Sequence, residues 1–297
     1  MSAPGTFRRV GVPLILFLLT LAFTLVIGVQ YHISYHEVRL GAGEGFWGFL
    51  WRHPRAWLWG LSYSLPLLGI LLVHEMGHFL ACRRHGIAAT LPHFLPAPTL
   101  IGTFGAFIKI RSPFSSKRAL FDVGLAGPLA GFLAALPLIA AGIASSRVVE
   151  RGTLAGGLSL GEPLLFTLLA RLIVGTLPPG SELLVHPMAF AGWFGLLATA
   201  FNLFPIGQLD GGHILYAVAG RRRAYAAGVA AVAVLVALGV FFWQGWLLWA
   251  LLATLIGLRH PPVFEAERLD RRRRLLAVAA LAIFALSFTP APLALVP

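Results

Sequence analysis

Seven apolar runs, at residues 10–30, 59–81, 119–144, 187–205, 224–243, 245–258 and 274–291, restrict what this chain can fold into more than any other feature. A helix needs about 20 apolar residues to cross the hydrocarbon core of a bilayer. No water satisfies backbone N–H and C=O groups there, so a crossing run must close its hydrogen bonds on itself as helix. Of the 297 residues, 58% are hydrophobic and 11% charged, where an average soluble domain carries about 25% charged. Much of this chain therefore has lipid as its solvent. The run 245–258 is short for a crossing, and Trp246 and Trp249 are expected to anchor it at an interface.

The net charge is +12, and the arginines gather at the ends of the apolar runs: Arg8-Arg9, Arg83-Arg84, Arg221 to Arg223 and Arg271 to Arg274. That placement is the positive-inside pattern of a membrane protein rather than a nucleic-acid-binding stripe. With Arg8 and Arg9 in the cytoplasm, every basic cluster falls on that side provided that 163–177, a 15-residue apolar run containing Arg171, does not cross. If it crossed, the last two clusters would fall outside. The charges thus predict seven spans, a cytoplasmic N-terminus, and a 163–177 segment lying on or dipping into the membrane. The expected location is a bacterial cytoplasmic membrane. Val10 to Val29 is longer than a signal-peptide core and has no small-residue cleavage site, so it reads as a retained anchor. The single cysteine, Cys82, permits no internal disulfide and reads as a small apolar filler.

Two pieces break the helical pattern. Residues 86–118 carry Pro92, Pro96, Pro98 and Pro113, too many for a helix. Within them Thr103 to Arg111 reads as strand-like, with Gly102 and Gly105 permitting tight turns. Residues 205–212 (PIGQLDGG) break the helix at the end of the fourth run. Irregular backbone at membrane depth survives only where protein or a watery cavity satisfies it. The fold class is an all-α polytopic membrane protein with a short β-like segment near 101–111. Residues 1–297 form a single membrane domain, with no tandem repeat and no soluble domain.

The chemistry concentrates in His74-Glu75-Met76-Gly77-His78. Histidines at i and i+4 share one helix face, which lets both imidazoles grip one Zn²⁺. Glu75 is placed to act as general base on a water at the metal. Three polar groups in an apolar segment are costly unless paired or functional. Hydrogen-bonded buried histidines alone would not need His, Glu and His at this spacing. A catalytic zinc site wants a third protein ligand and an open position. The extended metzincin spacing fails, because Ala81 and Arg84 stand where Gly and His would be needed. Of the three aspartates, Asp122, Asp210 and Asp270, Asp210 is the best third ligand, since the topology brings the ends of the second and fourth runs to one side. Asp122 is the rival, although it reads more simply as a helix N-terminal carboxylate meeting the dipole. Asp270 reads as a solvated charge among arginines.

HEMGH within a span, followed far downstream by Asn202-Leu203-Phe204-Pro205-Ile206-Gly207-Gln208-Leu209-Asp210-Gly211, resembles the site-2 protease family of intramembrane zinc metalloproteases. Its paired motifs, HExxH and N-x-x-P-x-x-x-x-D-G, both stand intact. Gly102-Thr103-Phe104-Gly105-Ala106 and Leu125-Ala126-Gly127-Pro128 match as well, and the resemblance covers residues 60–220. It implies one Zn²⁺ per chain held by His74, His78 and Asp210, with Glu75 as catalytic base. It also implies that Asn202 and Pro205 line the site near the scissile bond. The closest likeness is to the compact bacterial and chloroplast branch, since no polar insert here is large enough for a PDZ or nucleotide-sensing domain.

The function so implied is hydrolysis of a peptide bond within or near a transmembrane segment of a membrane-protein substrate. Such a segment must unwind before attack. The stretch containing Gly102, Thr103, Phe104 and Gly105 is expected to hold it by edge pairing, with a structural hairpin closing the loop as the alternative. His213, three residues after Asp210, is expected to give polar lining. His32, His36 and His53 flank the outer side of the first spans, and His93 lies in the proline-rich loop. A divalent-metal transporter would spread its acidic and histidine residues along several spans, whereas here they cluster at one end of two. A non-proteolytic relative would have no use for an intact Glu75.

Overall fold

The computed structural model describes residues 10–38, 40–41, 45–150, 152, 158–263 and 267–295; Arg8 and Arg9 lie outside these. Each of the seven apolar runs is helical. Helix α1 is Val12–His36. After a short α2, Phe46–Arg52, a 3-10 turn over Pro54–Gly60 leads straight into α3, Leu61–Arg84. Helix α4 is Lys117–Ala144, capped by Ser116, whose hydroxyl accepts from the Ala119 N–H. Then come α5, Leu164–Ile173, α6, Pro187–Asn202, and α7, Asp210–Ala219. The chain ends in α8, Arg221–Phe241, α9, Gly245–Ile256, and α10, Arg271–Ser287. Among the described residues, four helical stretches are long and apolar enough to cross a membrane: α1, Pro54–Arg84, α4 and α8.

Burial separates inner from outer helices. Half of the apolar window is buried in Pro54–Arg84 and in α4, against 28% in α1 and 22% in α8. The core therefore centres on α3, α4 and α6, whose Tyr63, Leu67, Phe121, Ile139 and Trp193 are enclosed. Two buried hydroxyls inside this apolar packing pair with each other: the Thr24 and Ser64 oxygens lie 2.6 Å apart and tie α1 to α3.

Strand β1, His93–Pro96, pairs antiparallel with β2, Thr103–Phe107, through His93↔Phe107, Phe94↔Ala106 and a bulged Pro96↔Thr103. An isolated bridge between Ala89 and Ile110 prolongs the hairpin. The strand-like reading of Thr103 to Arg111 is thus a strand to Phe107 followed by looser pairing. Two further ladders were not anticipated. Strand β3, Arg147–Glu150, pairs with β5, Ser181–Leu184, and β4, Leu158–Leu160, with β6, Leu293–Leu295. They join segments far apart in the chain and are three or four residues each, below the length at which alternation shows.

Two side chains, Trp246 and Asp270, depart from expectation. Trp246 is fully buried rather than interfacial; it packs on Phe204 and Phe288, and its indole N–H donates to the Pro290 carbonyl at 2.6 Å. Trp249 stacks on Phe201 at 3.8 Å. Asp270 is not a free solvated charge: it caps α10 and accepts from the Arg273 backbone and guanidinium, which hold its carboxyl below the usual carboxylate range. Cys82 is buried among Ile87, Ala119 and Val123, in keeping with a filler role.

Candidate metal centre

Helix α3 carries His74, Glu75 and His78 into the core, where each is buried. One turn of helix separates the two rings, and their Nε2 atoms face each other at 3.1 Å. Asp210 arrives from the other side. Tight turns over 203–209, including Ile206 N–H to the Phe204 carbonyl at 2.7 Å, end α6 and start α7 with Asp210 as its first residue. Its Oδ2 lies 3.4 Å from His74 Nε2 and 3.2 Å from His78 Nε2.

This triangle fits a zinc ion. Ligands about 2.0–2.1 Å from a tetrahedral zinc stand roughly 3.3 Å from one another, close to the three edges observed. The tautomers agree. His78 Nδ1 lies 2.8 Å from the Val123 carbonyl; a carbonyl only accepts, so Nδ1 carries the proton and Nε2 presents its lone pair. Two imidazole nitrogens and a carboxylate oxygen at such distances, in a buried space, call for a cation among them.

Helix α4 makes the space. A Cβ at Gly127 would fall 2.1 Å from His78 Nε2, and one at Gly131 would fall 3.0 Å from His74 Nδ1. The LAGP stretch is therefore the smooth wall against which the metal-binding rings lie. Helix α3 reciprocates at Gly77, where a Cβ would meet the Ala126 carbonyl at 2.4 Å.

Glu75 lies beside the triangle, with Oε1 4.0 Å from His74 Nε2. The Ile108 backbone, just beyond β2, is a neighbour of its carboxylate. Asn202, the last residue of α6, brings its side-chain amide to 3.3 Å from His74 Nε2. A cleft of about 260 Å³ opens onto this point, lined by His74, Glu75, Asn202 and Thr103 to Ala106, with Leu235 and Trp249 opposite. Pro205 sits in the turn between Phe204 and Ile206, which line the cleft. Gly102, at φ +83°, packs against Thr24 of α1 and turns the chain into β2.

The other candidates fall elsewhere. Asp122 lies beyond the first turn of α4 and is neither a dipole-facing carboxylate nor near the triangle. It accepts two bonds from Arg273, Nε at 2.8 Å and Nη2 at 2.6 Å, and one from His85 Nε2 at 2.9 Å. His213 turns away from the triangle and pairs with His260, Nδ1 to Nε2 at 2.7 Å. Sequence reasoning missed the Val123 carbonyl, Arg273 and His260. A carbonyl leaves no mark in a sequence, and the two side chains lie 151 and 47 residues from their partners.

Comparison with known proteins agrees with this geometry. A family model described as "Peptidase family M50" matches residues 62–243. The chain is similar to the probable zinc metalloprotease EGY1, chloroplastic, of Oryza sativa subsp. japonica, at 35% identity over 178 residues, covering 57% of this chain and 30% of that protein. The EGY1 protein of Arabidopsis thaliana is 31% identical over 249 residues, covering 74% of this chain and 42% of the relative. The EGY2 protein of Arabidopsis thaliana is 34% identical over 177 residues, covering 59% and 32%. The chain thus spans between 30% and 42% of the length of these relatives.

Proposed function

The chain belongs to peptidase family M50, the site-2 proteases, and we propose that it is an intramembrane zinc metalloprotease cutting a peptide bond within or near a transmembrane segment of a membrane-protein substrate. One observation carries this reading: a three-ligand triangle, a carboxylate 4.0 Å from one ligand atom, and an open cleft meet at a single buried point. The zinc metalloprotease names of the relatives favour the same activity.

His74, His78 and Asp210 would hold one zinc, with the Val123 carbonyl keeping the His78 ring in its tautomer. Bound there, zinc would supply Lewis acidity, lowering the pKa of a water and polarising a carbonyl oxygen. Glu75 takes the proton from the attacking water and delivers it to the leaving amine nitrogen. Glu75 borders the cleft, and Asn202 places an amide at the same corner to orient the scissile peptide. The apolar cleft around Glu75 excludes bulk water from competing with these contacts.

The substrate segment unwinds along β2, where Gly102, Thr103, Phe104 and Gly105 turn and line the wall nearest Glu75, and Pro205 shapes the turn opposite. The chain crosses the membrane seven times, through α1, α3, α4, α6, α8, α9 and α10, with its arginine clusters on the cytoplasmic side. One feature supports that count: β3 pairs with β5, so the chain enters and leaves the intervening segment at one level. The relatives are chloroplastic and lend the expected bacterial membrane no support.

The test is cleavage of a single-span substrate by purified protein, with zinc measured alongside. Wild type should cut; Glu75→Gln should keep zinc and not cut; Asp210→Ala should lose zinc. Equal zinc in all three removes Asp210 from the ligand set. A zinc-loaded wild type that cuts nothing across a varied substrate panel would bring the transporter and non-proteolytic readings forward.

A further inference from the structure

A second cavity, about 310 Å³, lies between the start of α8 and the segment that follows α9. Arg221, Arg222 and Arg259 line it, together with Tyr225 and His260. The Arg259 guanidinium lies 5.7 Å from the centroid of the Tyr225 ring, which steadies it there. Among the described residues none of these three arginines has a carboxylate partner. Other arginines of the chain do: Arg118 pairs with Glu267 at 3.0 Å, and Arg273 pairs with Asp122 and Asp270.

The position sharpens the imbalance. Arg221 and Arg222 occupy the first turn of α8, where no acidic residue and no side-chain cap is present. The helix dipole already puts positive charge at that end, so arginines there are unfavourable unless an anion offsets them. Three guanidiniums sharing one cavity also repel one another. A counter-charge from outside the described chain resolves both conflicts. The remaining wall includes Gly207 and Gly212, which bracket Asp210, so an occupant would rest on the loop that carries a metal ligand.

We propose that this cavity binds a phosphate group, carried either by an anionic lipid headgroup or by a soluble phosphate ester. Guanidinium forks match phosphate oxygens in pairs, and the cavity leaves room for the group attached to the phosphate. General attraction of basic clusters to an anionic bilayer surface needs no cavity and would act on every arginine near the surface alike. Arg223 separates the two ideas: it follows Arg222 on the same helix and is exposed like the three cavity arginines, but it does not line the cavity. The proposal stands apart from the proteolytic reading.

The experiment uses the zinc-loaded full chain in neutral detergent, titrated with short-chain phosphatidylglycerol, with phosphatidylcholine as zwitterionic reference, and with inorganic phosphate. Native mass spectrometry counts the adducts. Wild type should hold one anionic adduct, saturably, above the phosphatidylcholine background. The pair Arg222→Gln with Arg259→Gln should weaken it about tenfold or more. The charge-matched pair Arg223→Gln with Arg268→Gln, the latter an exposed arginine before α10 that does not line the cavity, should leave it unchanged. Phosphatidylglycerol binding without inorganic phosphate binding assigns the site to lipid; equal binding of both assigns it to a soluble phosphate ester. Equal weakening by both pairs, or no saturable adduct, overturns the proposal. A wild-type melting temperature certifies the fold of each variant, and Arg222→Gln alone, at an exposed helix position, carries the comparison if the first pair does not fold.

Discussion

His78 is held by two neighbours that no metal-binding motif contains: a carbonyl at Val123 and the missing side chain of Gly127. Gly127→Ala puts a methyl group 2.1 Å from the ligand nitrogen, with its helix backbone fixed by α4 on both sides. The variant should hold little zinc and cut nothing. Gly131→Ala makes a contact at 3.0 Å, which a few tenths of an ångström relieve, and should keep most of its zinc. Zinc per chain, measured after exhaustive dialysis against buffer, compares the two. The proposed histidine ligands were legible in the sequence because helical spacing fixes which side chains share a face. Gly127 was visible only as part of a matching stretch, and its contact with His78 was not, because a close approach between helices is set by packing. Asp122 gives the converse case. Its bonds to Arg273 and His85 are structural, so Asp122→Asn should keep one zinc while losing about 1–3 kcal/mol of stability. With the pair a quarter exposed, the lower half of that range is the expectation. A melting temperature several degrees lower at unchanged zinc content would exclude the rival ligand; loss of zinc would restore it.

Strand β2 is the element where fold and proposed chemistry meet. It lies beside α3, lines the cleft with Thr103 to Ala106, and leads to Ile108, a neighbour of Glu75. Phe104 stands out on it: the side chain is 73% exposed although it borders the cleft. A large apolar side chain left open beside a buried site is a contact surface for something apolar. Phe104→Ala should lower kcat/KM roughly tenfold, mostly through KM, since the contact forms on binding rather than during bond breaking. Full zinc content in the same sample would separate this from damage to the metal centre. Unchanged KM for a transmembrane substrate would remove β2 from the binding surface. The proline-rich stretch announced non-helical structure here because prolines and glycines punctuate any backbone. The ladders β3–β5 and β4–β6 carried no such mark: each is short, and each partner lies 30 or more residues away.

At the scale of the whole molecule the apolar runs were legible because lipid demands about 20 residues of the same character in a row, and all seven are helices. Their number of crossings depends on one segment, 163–177, and the pairing of β3 with β5 bears directly on it. Arg147 lies opposite Leu184 and Glu150 opposite Ser181, so whatever runs from 151 to 180 returns to its starting level. A segment that returns crosses an even number of times, and it holds one described helix. The proposed count is therefore zero, which would make α4 and α6 successive crossings in opposite directions. This places Arg84 at the end of α3 and Arg223 near the start of α8 on one side, with Pro179 on the other. The chain suits a direct test because its only cysteine, Cys82, is buried and Cys82→Ala gives a silent background. Single cysteines at 84, 223 and 179 would be labelled in sealed vesicles with a maleimide that cannot cross lipid. Positions 84 and 223 should react from the same face and 179 from the opposite one. If 84 and 223 react from opposite faces, 163–177 crosses, and the depth at which Asp210 meets the histidines would need a different path for α6.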